Sequence, residues 1–263
     1  MNRIRKTFEG LRARNEKALV PYITPEFPVA GITGSLITAL GESGASMIEI
    51  GIPFSDPIAD GPTIQQSSFA SIQNGATLER ILDQIKIIRQ KTDIPLLLMG
   101  YFNSFFHYGE ERFLDAAVKC GVDGLIIPDL LPEESDTFRN LCMQRGISNV
   151  FLIAPTTSDE RMRFIDALST DFSYCVSVTG VTGARNSFDD SKALGEFLYR
   201  VKLNTTKPFV VGFGIAKREH VRALSPYADG VVVGSALIQQ MASCSTIAES
   251  VEAAVRFFRS LKN

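Results

Sequence analysis

The chain alternates short apolar runs with longer segments in which apolar residues recur every three to four positions. The short runs have the length and composition of buried strands, whereas the longer segments have helical spacing. Eight runs of the first kind follow one another along the sequence. They are Leu19–Thr24, Met47–Ile52, Pro95–Tyr101, Gly124–Asp129, Asn149–Ala154, Tyr174–Val178, Pro208–Phe213 and Gly230–Ser235.

The segments between these runs predict helices. Residues Thr77–Gln90 place five aliphatic side chains on one helical face. Segments Glu133–Arg145 and Ser158–Leu168 carry acids near their starts, where the helix dipole favours negative charge. The charged, amphipathic segment Ile4–Lys17 precedes the first strand and predicts an additional helix.

Strands that are apolar on both faces and alternate with helices predict a parallel sheet covered by helices. Eight such units in 263 residues match the size of a (β/α)8 barrel. We therefore predict an α/β fold: a single (β/α)8 TIM barrel over residues 1–263, with the extra N-terminal helix covering the bottom of the barrel. A doubly wound open sheet is the alternative, but no G-x-G-x-x-G follows the first strand, which counts against a dinucleotide-binding fold.

Composition excludes several classes of function. The net charge of −2 gives no indication of a nucleic-acid or membrane surface, and no apolar run is long enough to span a bilayer. The four cysteines show no C-x-x-C spacing. We interpret them as reduced thiols and expect a cytoplasmic protein.

The most informative segment is the run from Glu49 to Asp60, which begins as an apolar strand and continues as a proline-containing loop. A carboxylate inside a buried strand is costly unless it is paired or used. Two acids in different environments, here Glu49 and Asp60, suit general acid–base chemistry because their pKa values can be pushed apart. The alternative is a strand acid satisfied by a neighbouring donor, with aspartates that only form turns.

The remaining polar residues at predicted strand ends extend this picture, because a barrel enzyme has its site at the carboxyl ends of the strands. Three glycine-bearing turns lie at the ends of strands six to eight: Thr179–Gly183, Gly212–Gly214 and Gly234–Ser235. Turns at the ends of the last two strands commonly bind phosphate in barrels. Segment Thr179–Ser191 is also long for a βα loop, which predicts a lid.

Absent residue types narrow the chemistry. The two histidines, His107 and His220, form no metal-ligand cluster, so we expect no metal site. No lysine lies inside a predicted strand, as a Schiff-base aldolase would require, and no serine or cysteine has an evident histidine partner. What remains favours proton transfer or carbon–carbon cleavage on a phosphorylated substrate without a cofactor.

The segment Glu49–Gln65 resembles the signature of the tryptophan synthase alpha subunit family, and the resemblance covers essentially the whole chain. Further segments also carry it: Pro21–Thr24, Gly121–Gly124, Ile127–Asp129, Ser177–Gly183, Gly212–Ile215 and Gly234–Ala236. The loop Thr24–Pro28 departs from the family pattern, which usually has a small residue and a glycine there.

The resemblance implies cleavage of indole-3-glycerol phosphate into indole and glyceraldehyde 3-phosphate. It implies that Glu49 is the acid–base group, that Asp60 holds the indole N–H, and that Tyr174 orders Glu49 and the substrate. It also implies a set of residues that bind the substrate and its phosphate. These are Tyr22, Ile64, Tyr101, Thr182, Gly183, Gly212, Phe213, Gly214, Gly234 and Ser235.

The same resemblance implies that no cofactor is bound in this chain and that indole passes to a tryptophan synthase beta subunit, which would carry pyridoxal phosphate. The expected assembly is an α2β2 heterotetramer. Asp56, Asn103 and Phe106 are the candidate interface residues, the last two within an aromatic segment, Asn103–Tyr108, that we interpret as a loop.

Two other functions stay open at this stage. The chain could act mainly as an interaction subunit that activates a partner, since contiguous exposed apolar surface often marks an interface. It could also be another phosphosugar barrel, such as an indoleglycerol-phosphate synthase or an isomerase. The absence of a strand lysine argues against the synthase.

Overall fold

The structure is a computed structural model, and it describes residues 2–176, 191–212 and 214–262. Within these ranges, nine parallel strands form one sheet. They are β1 (Ala18–Ile23), β2 (Ile48–Gly51), β3 (Leu96–Met99), β4 (Gly124–Ile126), β5 (Ser148–Val150), β6 (Leu152–Ile153), β7 (Ser173–Val176), β8 (Phe209–Gly212) and β9 (Gly230–Val233).

The strand order β5-β4-β3-β2-β1-β9-β8-β7-β6 describes a barrel, because its two end strands are consecutive along the chain. Only Phe151 separates β5, which pairs with β4, from β6, which pairs with β7. The fifth predicted strand, Asn149–Ala154, was therefore wrong as one continuous strand. The N–H of Phe151 donates to the Ser169 hydroxyl, 3.3 Å away, and not to a strand carbonyl, so the ladder is interrupted there.

The barrel strands are covered by helices, and the described residues contain twelve α-helices and one short 3-10 helix. They are α1 (Arg3–Ala13), α2 (Thr33–Glu42), α3 (Pro62–Gln73), α4 (Leu78–Arg89), α5 (Phe102–Tyr108), α6 (Glu110–Cys120), α7 (Asp136–Gln144), α8 (Asp159–Leu168), α9 (Ser191–Asn204), α10 (Arg218–Leu224), α11 (Ser235–Met241) and α12 (Ile247–Ser260), with the 3-10 helix at Pro132–Glu134.

Two helices begin where the sequence predicted. The side chains of Thr77 and Ser158 cap α4 and α8 by accepting the backbone N–H three residues further on.

Two other expectations are corrected. The predicted helix Glu133–Arg145 starts as the 3-10 turn and becomes α7 only at Asp136. The aromatic segment Asn103–Tyr108 is not a loop but most of α5.

The N-terminal helix α1 covers the bottom of the barrel, as predicted. Arg3 forms an ion pair of 3.1 Å with Asp123, which directly precedes β4. Arg5 forms one of 2.9 Å with Asp171, which lies shortly before β7. The ring of Phe8 packs 5.4 Å from the ring of Phe172. These contacts attach α1 to the ends of the strands where they begin, which leaves the opposite end of the barrel for the predicted site.

The barrel interior below the predicted site is a packed apolar layer from several strands. It consists of Val20, Met47, Leu97, Ile126, Phe172, Val210 and Val232. This layer gives Glu49 and Tyr174, which border it, a buried apolar floor. Within the described ranges, no helix is both long and apolar enough to cross a membrane.

Candidate functional site

Glu49 lies in β2 and points into the barrel, where its side chain is almost completely buried, with 1% of its surface exposed. It pairs in register with Tyr22 of β1 and Leu97 of β3. Its Oε1 atom has no hydrogen-bond partner among the described residues. Burial, and then the negative charge of Asp60, raises the pKa of Glu49 to about 8. The free chain at neutral pH therefore holds Glu49 largely as the neutral acid.

Asp60 ends the loop between β2 and α3, directly before Gly61, the N-cap of α3. The loop is folded on itself: the N–H of Asp60 donates to the carbonyl of Pro57, and Gln65 donates to the carbonyl of Asp60. Burial raises the pKa of the Asp60 carboxyl, and a hydrogen bond from the Tyr101 hydroxyl, 3.0 Å from Oδ2, acts in the opposite direction. Asp60 thus has a donor, whereas Oε1 of Glu49 has none in the described part of the chain.

Two tyrosines border Glu49 from other strands, and each lies over a glycine. The hydroxyl of Tyr22 lies over the Cα of Gly51, where an added Cβ would come within 1.9 Å of it. The hydroxyl of Tyr174 crosses Gly212, where an added Cβ would come within 2.3 Å. Burial raises the pKa of both phenols, and the charges of Glu49 and Asp60 raise them further. Both hydroxyls therefore stay protonated and can donate hydrogen bonds near Glu49.

Ile64 is buried in the first turn of α3. Its helix is attached to the end of β1 by the Ser67 hydroxyl, which lies 2.7 Å from the Thr24 hydroxyl. Ile64 is therefore held at the same end of the barrel as Asp60, one turn away from it along the chain.

The glycine-bearing strand ends also lie at this end of the barrel. Gly212 is the last residue of β8, and Gly214 is exposed beyond it. Gly234 is the N-cap of α11, which begins at Ser235 as predicted. The atoms nearest to a Cβ added at Gly234 would all belong to Tyr22, with its Cβ at an ordinary 3.5 Å, so contacts with the described protein atoms do not require glycine there.

Three predicted phosphate-site residues, Thr182, Gly183 and Phe213, lie outside the described residues. Most of the predicted lid, Thr179–Ser191, does as well, since only Ser191, the first residue of α9, is described.

The candidate interface residues are exposed around the rim of this end of the barrel. Asp56 lies in the β2–α3 loop, and Asn103 lies in α5, which follows β3. Phe106 of α5 exposes 62% of its surface, and Ile58, to which the sequence assigned no role, exposes 78%.

The structure adds two contacts that the sequence could not show. The ring of Tyr101 stacks on Phe54 at 5.1 Å, and the Asp129 carboxylate accepts the N–H of Phe102 at 2.9 Å. Both contacts join segments that are distant in sequence, and the only sequence signal was that all four residues lie at the ends of predicted strands or shortly after them. No group of three or more histidine, cysteine, aspartate or glutamate side chains in the described ranges could hold a metal ion.

The fold and the paired acids define a class, the (β/α)8-barrel enzymes that carry acid–base groups at the carboxyl ends of their strands. Comparison with known proteins gives the family. The family model for the tryptophan synthase alpha chain matches residues 8–263. A tryptophan synthase alpha chain from Chlorobium chlorochromatii (strain CaD3) is 46% identical over 259 residues, which cover 96% of this chain and 97% of that protein.

Solved structures agree with the sequence comparison. The tryptophan synthase subunit alpha from Legionella pneumophila str. Paris superposes with a TM-score of 0.90 at 35% identity, covering 100% of this chain and 97% of that one. A tryptophan synthase complex from Pyrococcus furiosus contains a chain that superposes with a TM-score of 0.85 at 37% identity, covering 93% of this chain and 97% of that one. This chain belongs to the tryptophan synthase alpha chain family, whose members are lyases that cleave indole-3-glycerol phosphate.

Proposed function

We propose that Glu49 is the acid–base group of indole-3-glycerol phosphate cleavage in this chain. The observation that carries the proposal is a buried carboxyl with one oxygen that has no hydrogen-bond partner among the described residues, close enough to Asp60 for the charge of that second acid to raise its pKa. A carboxyl that is neutral at pH 7 can donate a proton, and its conjugate base can accept one, so one side chain can serve both steps.

The reaction breaks the bond between C3 of the indole ring and the hydroxyl-bearing carbon of the glycerol chain. Glu49 donates its proton to C3, which turns the ring into an indolenine cation and a leaving group. The glycerol hydroxyl gives its proton to the Glu49 carboxylate as that carbon becomes the aldehyde of glyceraldehyde 3-phosphate. The electron pair of the broken bond returns to the ring as indole. Glu49 ends with the same number of protons as at the start.

Asp60 is the group that stabilises the cation. Its carboxylate would accept the indole N–H, and a fixed negative charge near N1 lowers the energy of the positively charged intermediate. The Tyr101 hydroxyl keeps the pKa of Asp60 from rising as far as burial alone would take it, which favours the ionised form that this role needs. Tyr22 and Tyr174 would border the ring, and Tyr174 would order Glu49 and the substrate. Ile64 would add an apolar contact.

The phosphate would be bound by backbone N–H groups at the ends of the last strands. Gly212, Gly214, Gly234 and Ser235 are the described candidates, and Thr182, Gly183 and Phe213 complete the set that the family resemblance implies. This end of the barrel is the usual phosphate site of the fold. Glycine at 234 fits the role, because the described protein atoms leave space beside its Cα that a bound phosphate could approach.

The proposal extends to the assembly. The chain would need no cofactor of its own, and it would work in the cytoplasm with a tryptophan synthase beta subunit that carries pyridoxal phosphate. An α2β2 heterotetramer is the expected form. Asp56, Asn103 and Phe106 would contact the partner, since they are exposed on the rim through which indole must leave.

The test is the release of indole by the purified full chain, with and without a beta subunit. Glu49→Gln should lower turnover by at least about a hundredfold, in the range that acid–base groups contribute, and leave binding of a phosphorylated indole analogue intact. Glu134→Gln, which changes an exposed carboxyl after β4, is the matched control and should behave as the parent. A Glu49→Gln variant with parental turnover would refute the role of Glu49. Absence of cleavage by the parent chain in both conditions would favour an interaction subunit instead.

A further inference from the structure

Tyr101 is fixed in place from several directions. It lies just after β3 as the N-cap of α5, and only 5% of its surface is exposed. Its ring stacks on Phe54 of the β2–α3 loop, with ring planes 26° apart. The backbone of the next residue, Phe102, is held by Asp129 of the β4–α7 connection. The phenol therefore has little freedom to turn.

The Tyr101 hydroxyl makes two hydrogen bonds, and both go to the β2–α3 loop. It donates its proton to Oδ2 of Asp60 at 3.0 Å and accepts the backbone N–H of Ala59 at 2.8 Å. A phenol has one proton to donate, so this hydroxyl has none left for a substrate atom while it donates to Asp60. One side chain from the β3 end thus holds both the carboxylate of Asp60 and the backbone next to it.

We propose that Tyr101 is a positioning residue for Asp60, and that it does not bind the substrate through its hydroxyl. The proposal rests on the proposed role of Asp60 and deepens it. The resemblance to the family led us to expect Tyr101 among the substrate-binding residues, but the hydrogen bonds of this hydroxyl give it another task. It aims one carboxylate oxygen and leaves Oδ1 for the indole N–H.

Two consequences separate positioning from binding. Loss of the hydroxyl frees the Asp60 carboxylate to rotate, so it stabilises the cationic intermediate less. The complex with bound substrate changes little, so kcat should fall while KM stays nearly unchanged. Loss of the donor also removes a hydrogen bond that favours the ionised carboxylate, so the pKa of Asp60 rises. The acid limb of the pH profile then moves to higher pH.

The experiment compares the full parent chain with Tyr101→Phe and with Tyr108→Phe. Tyr108 is the matched control, because it is a half-buried phenol of the same helix whose ring packs on Phe113 and Arg112, away from Asp60. Indole release is measured between about pH 4 and pH 9, a window that begins near ordinary carboxyl pKa values and extends above the pKa of about 8 of Glu49. The Asp60 carboxyl is titrated by NMR in ¹³C-labelled chains, with Asp60→Asn used to assign its signal.

The expected result for Tyr101→Phe is a fall in kcat of roughly tenfold to a hundredfold, the range for a hydrogen bond to a charged group. KM should change less than about threefold, well below that range. Both the acid limb and the NMR titration should shift upward, and Tyr108→Phe should match the parent. A Tyr101→Phe variant with raised KM and unchanged kcat would overturn the proposal in favour of substrate binding.

An unshifted titration of Asp60 in Tyr101→Phe would also overturn it, whatever the activity, because the hydrogen bond would then not act on the carboxylate. A different result is expected if the proposed role of Asp60 in catalysis is itself wrong. In that case Asp60→Asn itself would keep parental turnover, whereas failure of the positioning role alone leaves Asp60→Asn inactive and Tyr101→Phe like the parent.

Discussion

Replacing Glu49 by glutamine should make the folded chain less sensitive to alkaline pH. The pKa of Glu49 is raised from 4.5 to about 8, first by burial and then by the charge of Asp60. The unfolded chain, whose glutamate has the ordinary pKa, loses its proton first as pH rises. Between these two values the folded state binds the extra proton, so the free energy of unfolding of the parent chain falls with rising pH. Glutamine removes this dependence because it never ionises.

The magnitude follows from the difference between about 8 and 4.5, which is about 3.5 pKa units. At about 1.4 kcal/mol per unit, the complete effect would be about 5 kcal/mol. That is an upper limit, because water entry and movement of the loop around Asp60 relieve part of the cost of a buried charge. We therefore expect Glu49→Gln to exceed the parent by roughly 1–3 kcal/mol near pH 9, and by little near pH 5.

The measurement is urea unfolding followed by far-ultraviolet circular dichroism at closely spaced pH values. The informative quantity is the difference between Glu49→Gln and the parent, because titrating groups away from Glu49 contribute equally to both chains. Glu134→Gln makes the same substitution at an exposed site and is the matched control. A difference between Glu49→Gln and the parent that is flat with pH, or that shrinks as pH rises, would refute the assignment of a raised pKa to Glu49.

Three further predictions follow from the geometry of the site. Asp60→Asn should abolish most turnover and Asp60→Glu should keep part of it, since a carboxylate near the indole nitrogen remains; equal losses in the indole-release assay would mean that position matters more than charge. Gly234→Val should raise KM at least about tenfold by blocking approach to the backbone, and a phosphate found on a lysine or arginine in a ligand complex would contradict this. Gly51→Ala should displace Tyr22 and destabilise the fold by about 1–3 kcal/mol. Its control, Gly34→Ala in α2, should stabilise by up to about 1 kcal/mol in thermal unfolding, because the nearest heavy atom is 3.7 Å from the added Cβ.

The barrel could be predicted from sequence because its signals are local. A parallel strand that is covered on both faces reads as a continuous apolar run, and all six residues of β1 are buried. Helix starts with a capping hydroxyl, as at Thr77 and Ser158, are equally local. These features depend on residues a few positions apart, so one sequence is sufficient to recognise them.

The expectations that failed depend on distant contacts. Helix α5 is rich in aromatic residues, which are not strong helix formers, so its local pattern predicted a loop. The helix forms because Phe105 is completely buried against Phe113, with ring centroids 4.4 Å apart. The interruption at Phe151 similarly depends on a hydroxyl from Ser169, which belongs to the next unit of the barrel. Tertiary packing overrides local propensity in both places.

In the candidate site, too, local features could be predicted from the sequence and distant contacts could not. A carboxylate in an apolar strand is visible in the sequence, and so is the second acid eleven positions later. The partner of that second acid is not visible, because Tyr101 and Asp60 are 41 residues apart and meet only through the register of β2 and β3. Sequence therefore identified the groups that could do chemistry, while the structure was needed to find the group that aims one of them.

A comparison of Glu49 with Glu26 shows why burial alone does not identify a reactive acid. Both side chains are 1% exposed. The Glu26 carboxylate accepts hydrogen bonds from the Gly31 N–H at 2.6 Å, the Thr33 hydroxyl at 2.8 Å and the Gln84 amide at 2.7 Å. Burial acts to raise the pKa of Glu26, but these donors outweigh it and the pKa is lowered.

Glu26 therefore stays ionised and holds the loop after β1, even though its backbone adopts a left-handed φ of 58°. That conformation costs about 1–2 kcal/mol for a residue other than glycine, and the hydrogen bonds offset the cost. Glu49 has equal burial but an oxygen without a donor in the described part of the chain, so its proton is free to move to a substrate. What separates the structural carboxylate from the reactive one is the number of donors that surround it.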